Sequence, residues 1–237
     1  MSRGAFVTGT DTGVGKTVVA CALVHALRAA GARVAAMKPV AAGAIPHGGR
    51  WVNEDTLALA QAAGIGPEGI DRVTPVLLRE PMAPHIAAAR EGRHVALSPI
   101  LDVFEALAAS GDFVVVEGVG GFLVPLDDAL DTGDLARALR LPVVLVVGLR
   151  LGCLNHALLT ARAVAAAGLP LAGWVANEID PAMAVADENV EALRARLAAP
   201  LLGRLPYAPD PDPRALARML DVAPLLATAP ALTRTPR

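Results

Sequence analysis

The sequence predicts a doubly wound α/β fold, in which a mainly parallel sheet is flanked by helices. Short apolar runs are nearly continuous rather than alternating, which indicates strands buried on both faces of a parallel sheet. These runs alternate with amphipathic helical stretches, an order typical of right-handed crossover connections. In a chain of 237 residues, a hydrophobic content of 54% supplies enough apolar surface for a large core.

Six apolar runs are predicted to be strands, and five periodic segments between them are predicted to be helices. The strands are expected at 4–8, 33–38, 113–117, 142–148, 171–177 and 201–205. The helices are expected at 17–30, 53–63, 99–109, 155–167 and 184–197. Gly31 and Gly168 end the first and fourth helices. Because ligands of such a sheet bind beyond the carboxyl ends of its strands, the residues after each strand are the candidate site.

The chain shows no internal repeat and no linker, so we expect one domain over residues 1–225. The segment from Ala208 onward is rich in proline and closes with a Thr, Ala and Pro tail. We expect residues 226–237 to be a mobile C-terminal tail.

Composition argues against nucleic-acid and membrane partners. The net charge is −2 and the pI is near 6.2, which provides no basic surface for polyanions. The most apolar run, residues 141–154, is too short to span a bilayer, and we see no signal peptide. Cys21 and Cys153 are isolated and have no metal-ligand spacing. We therefore expect a cytoplasmic protein whose ligands are small molecules.

A glycine-rich loop, "GTDTGVGKT" from Gly9 to Thr17, follows the first predicted strand and opens a helix. Such a loop turns backbone amides toward an anion, and its lysine adds a compact cation. The threonine hydroxyl can ligate Mg²⁺. The first glycine lies one position early, because Thr10 occupies its usual place. The loop predicts a P-loop that binds ATP or GTP.

An ordinary glycine-rich turn is the alternative interpretation of this loop. It accounts for the glycines but leaves Lys16 beside the positive end of a helix dipole with no anion. The sequence contains 21 Lys and Arg residues, of which only Lys16 and Lys38 are lysine. A compact ammonium enters a phosphate cradle that a planar guanidinium does not.

Lys38, Glu117 and Asp55 are the other candidates at the same edge of the sheet. Lys38 closes the second predicted strand before Pro39, although a strand-end lysine is often simply solvated. Glu117 closes the apolar strand "FVVVE", where nucleotide enzymes hold Mg²⁺. Asp55 opens a helix, so it can serve either Mg²⁺ or the helix dipole.

Further polar groups follow the later strands. Gly152 to Asn155 precede a helix whose N-terminus can hold a carboxylate, or else Asn155 is only the N-cap. Asn177 closes its strand and offers an amide to a base edge. His85 is more typical of a packing or capping histidine than of a catalyst.

Taken together, these motifs resemble those of the dethiobiotin synthetase family. The matching stretches, in family order, are "FVTGTDTGVGKT", "KPVAAG", "NEDTLAL", "EPMAPHIAA", "VVEGVGGFLVPL", "LPVVLVVGLRLGCLNHALLTA", "LAGWVAN" and "LLGRLP". They extend from Phe6 to about Tyr207. The resemblance implies a homodimer that uses ATP and Mg²⁺ to carboxylate 7,8-diaminononanoate with CO₂. A carbamate would form first, then a carbamic-phosphoric anhydride, and then the ureido ring.

The resemblance also implies roles for individual residues, which are expectations at this point. Lys16, Lys38 and Thr12 would act at the transferring phosphoryl group, and Thr17, Asp55 and Glu117 would hold Mg²⁺. The nucleotide would contact Gly13, Val14, Gly15, Lys16, Thr17, Val18, Gly118, Val119, Gly120, Asn177, Glu178, Pro206, Tyr207 and Ala208. The substrate would contact Lys38, Ala42 and, from the partner chain, Gly152, Cys153, Leu154 and Asn155.

Two positions depart from the family pattern. Ala42 stands where the family commonly has a serine, so a side-chain hydrogen bond to the substrate amine is missing there. A backbone group or a water could replace it. Gly13 stands where some members carry an acidic residue, so no side-chain role transfers to it.

Two other functions are alternatives to this one. ParA/MinD-like ATPase switches share the fold but carry an additional lysine early in the loop, where this chain has Asp11. An amidoligase acting on a cobalamin precursor would need a glutamine-hydrolysing domain, for which we expect no room in this chain. ATP hydrolysis without the diamine, or stimulated by DNA or lipid, would distinguish the switch.

Overall fold

The computed structural model describes residues 4–227. Its central sheet has six strands, in the spatial order β10, β9, β8, β1, β7, β2. Their bounds are β1 Gly4–Gly9, β2 Val34–Met37, β7 Phe113–Glu117, β8 Val143–Leu149, β9 Leu171–Glu178 and β10 Leu201–Leu205. Every neighbouring pair in this sheet is parallel, so the predicted fold class is confirmed.

Helices cover both faces of the sheet. They are α1 Lys16–Ala29, α2 Glu54–Ala63, α3 Ile70–Val73, α4 Pro84–Arg90, α5 Leu97–Ser110, α6 Thr132–Leu139, α7 Cys153–Ala166, α8 Ala186–Arg194, α9 Pro213–Leu216 and α10 Ala223–Ala227. One core cluster packs α1 and α2 against one face of the sheet. Two further clusters pack α5, α6, α7 and α8 against the other face.

The six predicted strands and five predicted helices all form, with bounds shifted by at most three residues. The second strand ends at Met37, one residue earlier than predicted, because the Lys38 amide leaves the sheet and donates to the Val73 carbonyl at 2.7 Å. Helix α7 begins at Cys153 with Gly152 as its N-cap, so the interpretation of Asn155 as the N-cap is wrong.

Several short elements were not predicted. The strands β3 Val40–Ala42 and β6 Val76–Leu78 pair in parallel, and β4 Ile45–His47 and β5 Arg50–Val52 form an antiparallel hairpin. Helix α6 begins with a capping box between Asp131 and Asp134. These segments are too short for hydrophobic periodicity to distinguish them from loops.

The order of the strands fixes where a ligand can bind. Along the chain, β1 is followed first by β2 and β7, which lie on one side of it in the sheet. The later strands β8, β9 and β10 lie on its other side. The carboxyl end of β1 is therefore the point at which the winding of the sheet reverses, which is where open α/β sheets form a binding crevice.

The last described residues are helical, and none of the described helices is suited to span a membrane. Leu226 and Ala227 of the expected tail belong to α10, and residues 228–237 lie outside the described part of the chain. Between residues 4 and 227, no helix combines the length and the apolar character needed to cross a membrane.

Candidate active site

Lys38 and Glu117 meet because of the register of two adjacent strands. Met37 of β2 pairs with Val116 of β7, so the next residue along each strand lies side by side. Ala36 and Val115 pack into the core under α1, and side chains alternate between faces. Lys38 and Glu117 therefore project toward α1 at the carboxyl edge of the sheet.

Lys38 is the centre of a buried charged cluster. Its Nζ donates to Glu117 Oε1 at 2.6 Å and to Asp55 Oδ2 at 2.8 Å. It also donates to the Gly118 carbonyl at 3.2 Å. The Lys38 side chain is 4% exposed and that of Glu117 is 0% exposed. Two carboxylates and one carbonyl thus satisfy all three hydrogens of the ammonium.

Thr17, in the first turn of α1, joins the same cluster. Its Oγ1 lies 2.8 Å from Asp55 Oδ1 and 2.8 Å from Glu117 Oε1. A hydroxyl has one hydrogen, so it donates to only one of these carboxylates at a time. Asp55 reaches the cluster because Asn53 caps α2, its Oδ1 accepting from the Asp55 amide at 3.0 Å. Asp55 therefore opens a helix and also faces the site.

Burial and neighbouring charges set the pKa values of this cluster. Burial lowers the pKa of Lys38, but Glu117 and Asp55 outweigh it, so the net pKa lies above its usual value. Burial raises the pKa of the Asp55 carboxyl, yet Lys38 and Thr17 bring it below its usual value. Burial raises the pKa of Glu117, and Lys38 offsets only part of that effect.

The phosphate loop leads into α1 without a side-chain cap. Gly15 is the N-cap, in the left-handed region at φ 83°, and no side chain bonds to the first amides of the helix. Those amides remain available to an anion. Lys16 Nζ donates to the Asp11 carbonyl at 3.0 Å. Burial and the nearby Lys38 lower the pKa of Lys16, and an anion at the loop would oppose both effects.

Asn177, at the end of β9, holds the loop from the other side. Its Nδ2 donates to the Val14 carbonyl at 2.9 Å. A Cβ on Gly15 would clash with that same Nδ2, so glycine is required both for the backbone conformation and for this close approach. Gly9 also has a close neighbour, because a Cβ added at Gly9 would lie 2.6 Å from Val14 Cγ2.

A cavity of about 830 Å³ opens in front of the loop and the charged cluster. Its walls include these predicted site residues: Thr12, Gly13, Gly15, Lys16, Thr17, Val18, Lys38, Ala42, Asp55, Glu117, Val119 and Gly120. The sequence analysis did not single out the remaining lining residues, which are Ala41, Asn53, Pro81, Met82, Ala83, Pro84 and Val124. Six of these seven residues are apolar, so the cavity combines charged groups with hydrocarbon surface.

The other predicted site residues lie outside the walls of this cavity. Val14 and Gly118 contribute carbonyls to Asn177 and Lys38. Glu178 accepts from Arg204 at 2.6 Å, and Tyr207 is exposed beyond β10, beside Pro206 and Ala208. Gly152, Cys153, Leu154 and Asn155 lie at the start of α7. His85 lies in the first turn of α4, and its Nδ1 is buried without a hydrogen-bond partner among the described residues.

The oxygens around Thr17 suit a hard divalent cation. Two carboxylates and a hydroxyl converge, and Glu117 Oε2 is buried with no hydrogen-bond partner among the described residues. Mg²⁺ typically takes one or two carboxylates and completes its shell with phosphate and water oxygens. Across residues 4–227, no group of three or more His, Cys, Asp or Glu side chains forms a complete metal cage. The two carboxylates and the hydroxyl could supply part of a Mg²⁺ coordination shell.

The fold and the loop define a P-loop nucleotide-binding protein. A family model described as an AAA domain matches residues 3–215. A ParA family ATPase from Chlorobium tepidum has a TM-score of 0.52 at 16% identity, over 96% of this chain and 90% of that chain. The Pyrococcus horikoshii septum site-determining protein MinD, solved with Mg-ADP, has a TM-score of 0.52 at 18% identity, over 88% and 83%. At such identities the likeness concerns the fold alone.

Sequence relatives define the family more narrowly. A protein of Aromatoleum aromaticum named ATP-dependent dethiobiotin synthetase BioD is 57% identical, over 92% of this chain and 96% of the relative. A protein of the same name from Nitrosospira multiformis is 55% identical, over 94% and 96%. This chain belongs to the ATP-dependent dethiobiotin synthetase family.

Replacing Gly15 with alanine tests the loop geometry. Gly15→Ala combines left-handed strain with a clash against Asn177, so we expect ATP binding to fall below detection in isothermal titration calorimetry. Gly13→Ala is the matched control, because Gly13 has a similar φ of 74° but an added Cβ meets no atom within 4 Å. Equal ATP affinity in the two variants would contradict the role given to the Asn177 contact.

Proposed function

We propose that this protein catalyses the ATP-dependent carboxylation and ring closure of 7,8-diaminononanoate with CO₂, yielding dethiobiotin, ADP and phosphate. Membership of the dethiobiotin synthetase family supports the overall reaction. Within the site, the position of Lys38 is the observation that supports the proposal most directly. Lys38 lines the same cavity as the phosphate loop.

The proposed chemistry proceeds in three steps. The 7-amino group adds to CO₂ and loses a proton, which gives a carbamate. A carbamate oxygen then attacks the γ-phosphorus of ATP and displaces ADP, which gives a carbamic-phosphoric anhydride. Finally, the 8-amino nitrogen attacks the carbonyl carbon, phosphate leaves with the bridging oxygen, and the nitrogen loses a proton.

These steps need alignment and charge stabilisation rather than a protein nucleophile. Lys16 would bind the phosphates from the loop, and Lys38 would bind the carbamate and the transferring phosphoryl group from the opposite side. Thr12, which lines the cavity, would lie close to the same group. The loop amides from Gly13 to Val18 would hold the remaining phosphate oxygens.

Thr17, Asp55 and Glu117 would hold Mg²⁺, which when bound offsets negative charge on the β- and γ-phosphates. The unpartnered Glu117 Oε2 and the convergence of three oxygen donors support this assignment. Lys38 already contacts both carboxylates, so its ammonium can exchange one of them for a carbamate oxygen.

The apolar residues that line the cavity support a substrate with a hydrocarbon chain. Pro81, Met82 and Ala83 line the same cavity as the phosphate loop. Ala42 lines the same space at the end of β3, where its methyl group cannot donate or accept a hydrogen bond. A backbone group or a water would therefore contact the substrate amine at that point.

The proposal includes a homodimer in the cytoplasm. Residues 152–155 of one subunit would bind the carboxylate of the substrate held in the partner's active site. Asn177, Glu178 and residues 206–208 would contact the adenine of ATP. Leu151, which directly precedes the first of these segments, is 97% exposed in the single chain. Cys21 and Cys153 are free thiols, which fits a reducing compartment.

A coupled assay for ADP release tests the proposed function. We expect turnover only when 7,8-diaminononanoate, bicarbonate and Mg²⁺ are all present, because the carbamate is the nucleophile. Omitting each component in turn supplies the controls. Full ATP turnover without the diamine, or turnover stimulated by DNA or lipid vesicles, would indicate an ATPase switch instead.

Substitution of the two lysines separates catalysis from ATP binding. We expect Lys38→Met to lower kcat by about 10²–10³-fold with little change in the Kd for ATP, because its charge acts in the transition state. Lys16→Met, its counterpart in the loop, is expected to weaken ATP binding directly. Calorimetric Kd values and steady-state kinetics measure both.

Thermal unfolding must accompany these variants, because removing one partner of a buried ion pair costs about 3–5 kcal/mol. Lys38→Arg keeps the charge and serves as a second variant if Lys38→Met is unstable. Equal weakening of ATP affinity by Lys38→Met and Lys16→Met would reassign Lys38 to nucleotide binding.

A further inference from the structure

An ion pair joins the phosphate loop to the end of β8. Arg150 directly follows β8, and its guanidinium donates to Asp11 Oδ2. The strands that precede these two residues are neighbours, since Gly9 of β1 pairs with Val146 of β8. The Thr10 amide also donates to the Val146 carbonyl at 3.0 Å. The loop is therefore attached to β8 by both backbone and side-chain bonds.

Asp11 connects this ion pair to two candidate site residues. Its Oδ1 accepts from the Thr12 amide at 2.7 Å, and its carbonyl accepts from Lys16 Nζ at 3.0 Å. Thr12 and Lys16 both line the cavity, whereas Arg150 does not belong to the cavity wall. Arg150 is bonded to Asp11, and Asp11 is bonded to Thr12 and Lys16, so Arg150 can act on these two cavity residues through Asp11.

The charge of Asp11 gives Arg150 a second effect. An unpaired carboxylate in the phosphate loop would repel the phosphates of a bound nucleotide. The guanidinium of Arg150 neutralises that carboxylate from outside the cavity. The side chains of Arg150 and Asp11 are 43% and 45% exposed, so the pair is screened by solvent and contributes little to global stability.

We propose that Arg150 is a positioning residue for ATP. Arg150 orients Thr12 and Lys16 through Asp11, and it neutralises the negative charge of the Asp11 carboxylate. The proposal rests on ATP binding at this loop, which is part of the proposed function. The effect is on nucleotide affinity rather than on chemistry, because the contacts of the loop with phosphates exist before and during phosphoryl transfer.

Binding of ATP to Arg150→Ala and Arg150→Lys tests this proposal by calorimetry at low and high salt. We expect Arg150→Ala to weaken ATP binding about five- to tenfold at low salt and less at high salt. Arg150→Lys should recover most of the affinity. The KM for ATP should rise in parallel in Arg150→Ala, while kcat at saturating ATP stays within about twofold of the wild type.

Two controls separate this effect from general damage. Arg194→Ala removes an exposed arginine that pairs with Glu191 on α8, and it should leave ATP affinity unchanged. In an Asp11→Asn background, Arg150→Ala should change ATP affinity by less than about twofold, because the carboxylate that needs neutralising is gone. Arg150→Gln provides a second neutral variant if Arg150→Ala folds poorly.

Wild-type affinity in both Arg150→Ala and Arg150→Gln would overturn the proposal. An equal loss of affinity with and without the Asp11→Asn substitution would also overturn it, because Arg150 would then act independently of Asp11. Failure of the unmodified protein to bind ATP would instead contradict the proposed function, so the two failures are distinguishable.

Discussion

The buried Glu117 carboxylate is the constraint on which the site depends. A carboxylate with no exposed surface is costly unless a cation and hydrogen-bond donors compensate it. Lys38 and Thr17 supply that compensation, and each comes from a different element. The contacts that compensate Glu117 therefore connect the ends of β2 and β7 with the first turn of α1. Asp55 extends these contacts to α2.

The same requirement shapes the chemistry. Glu117 Oε1 accepts from Lys38 and lies 2.8 Å from the Thr17 hydroxyl, while its Oε2 has no hydrogen-bond partner among the described residues. This unpartnered oxygen supports the proposed Mg²⁺ site. The cluster also keeps Lys38 ionised, because Glu117 and Asp55 raise its pKa against the effect of burial. An ionised Lys38 can bind an anion at neutral pH, which is the role proposed for it in phosphoryl transfer.

Much of this arrangement could be predicted from the sequence. Continuous apolar runs located the six strands of the main sheet, because parallel strands are buried on both faces. Parallel strands also place their carboxyl ends at one edge, so Lys38 and Glu117 could be expected near the loop that contains Lys16. The scarcity of lysine added a chemical reason, since all Lys and Arg positions other than Lys16 and Lys38 are arginine.

What could not be predicted depends on contacts between distant or short segments. The ion pair between Asp11 and Arg150 joins residues 139 positions apart, and no local pattern indicates it. The wall formed by Pro81, Met82 and Ala83 follows a three-residue strand, β6, whose pairing with β3 is decided by the tertiary fold. Gly152, and not Asn155, caps α7, because its left-handed backbone at φ 94° sets the start of the helix.

In the proposed reaction, the γ-phosphoryl group of ATP is transferred to a carbamate held between Lys16 and Lys38. The most direct measurement follows the oxygen atoms: the enzyme is supplied with ¹⁸O-labelled bicarbonate, ATP and 7,8-diaminononanoate, and the released phosphate is analysed by mass spectrometry. We expect one labelled oxygen in each phosphate, because the carbamate oxygen that attacks phosphorus leaves with it. Phosphate that carries only oxygen from ATP and water would contradict it.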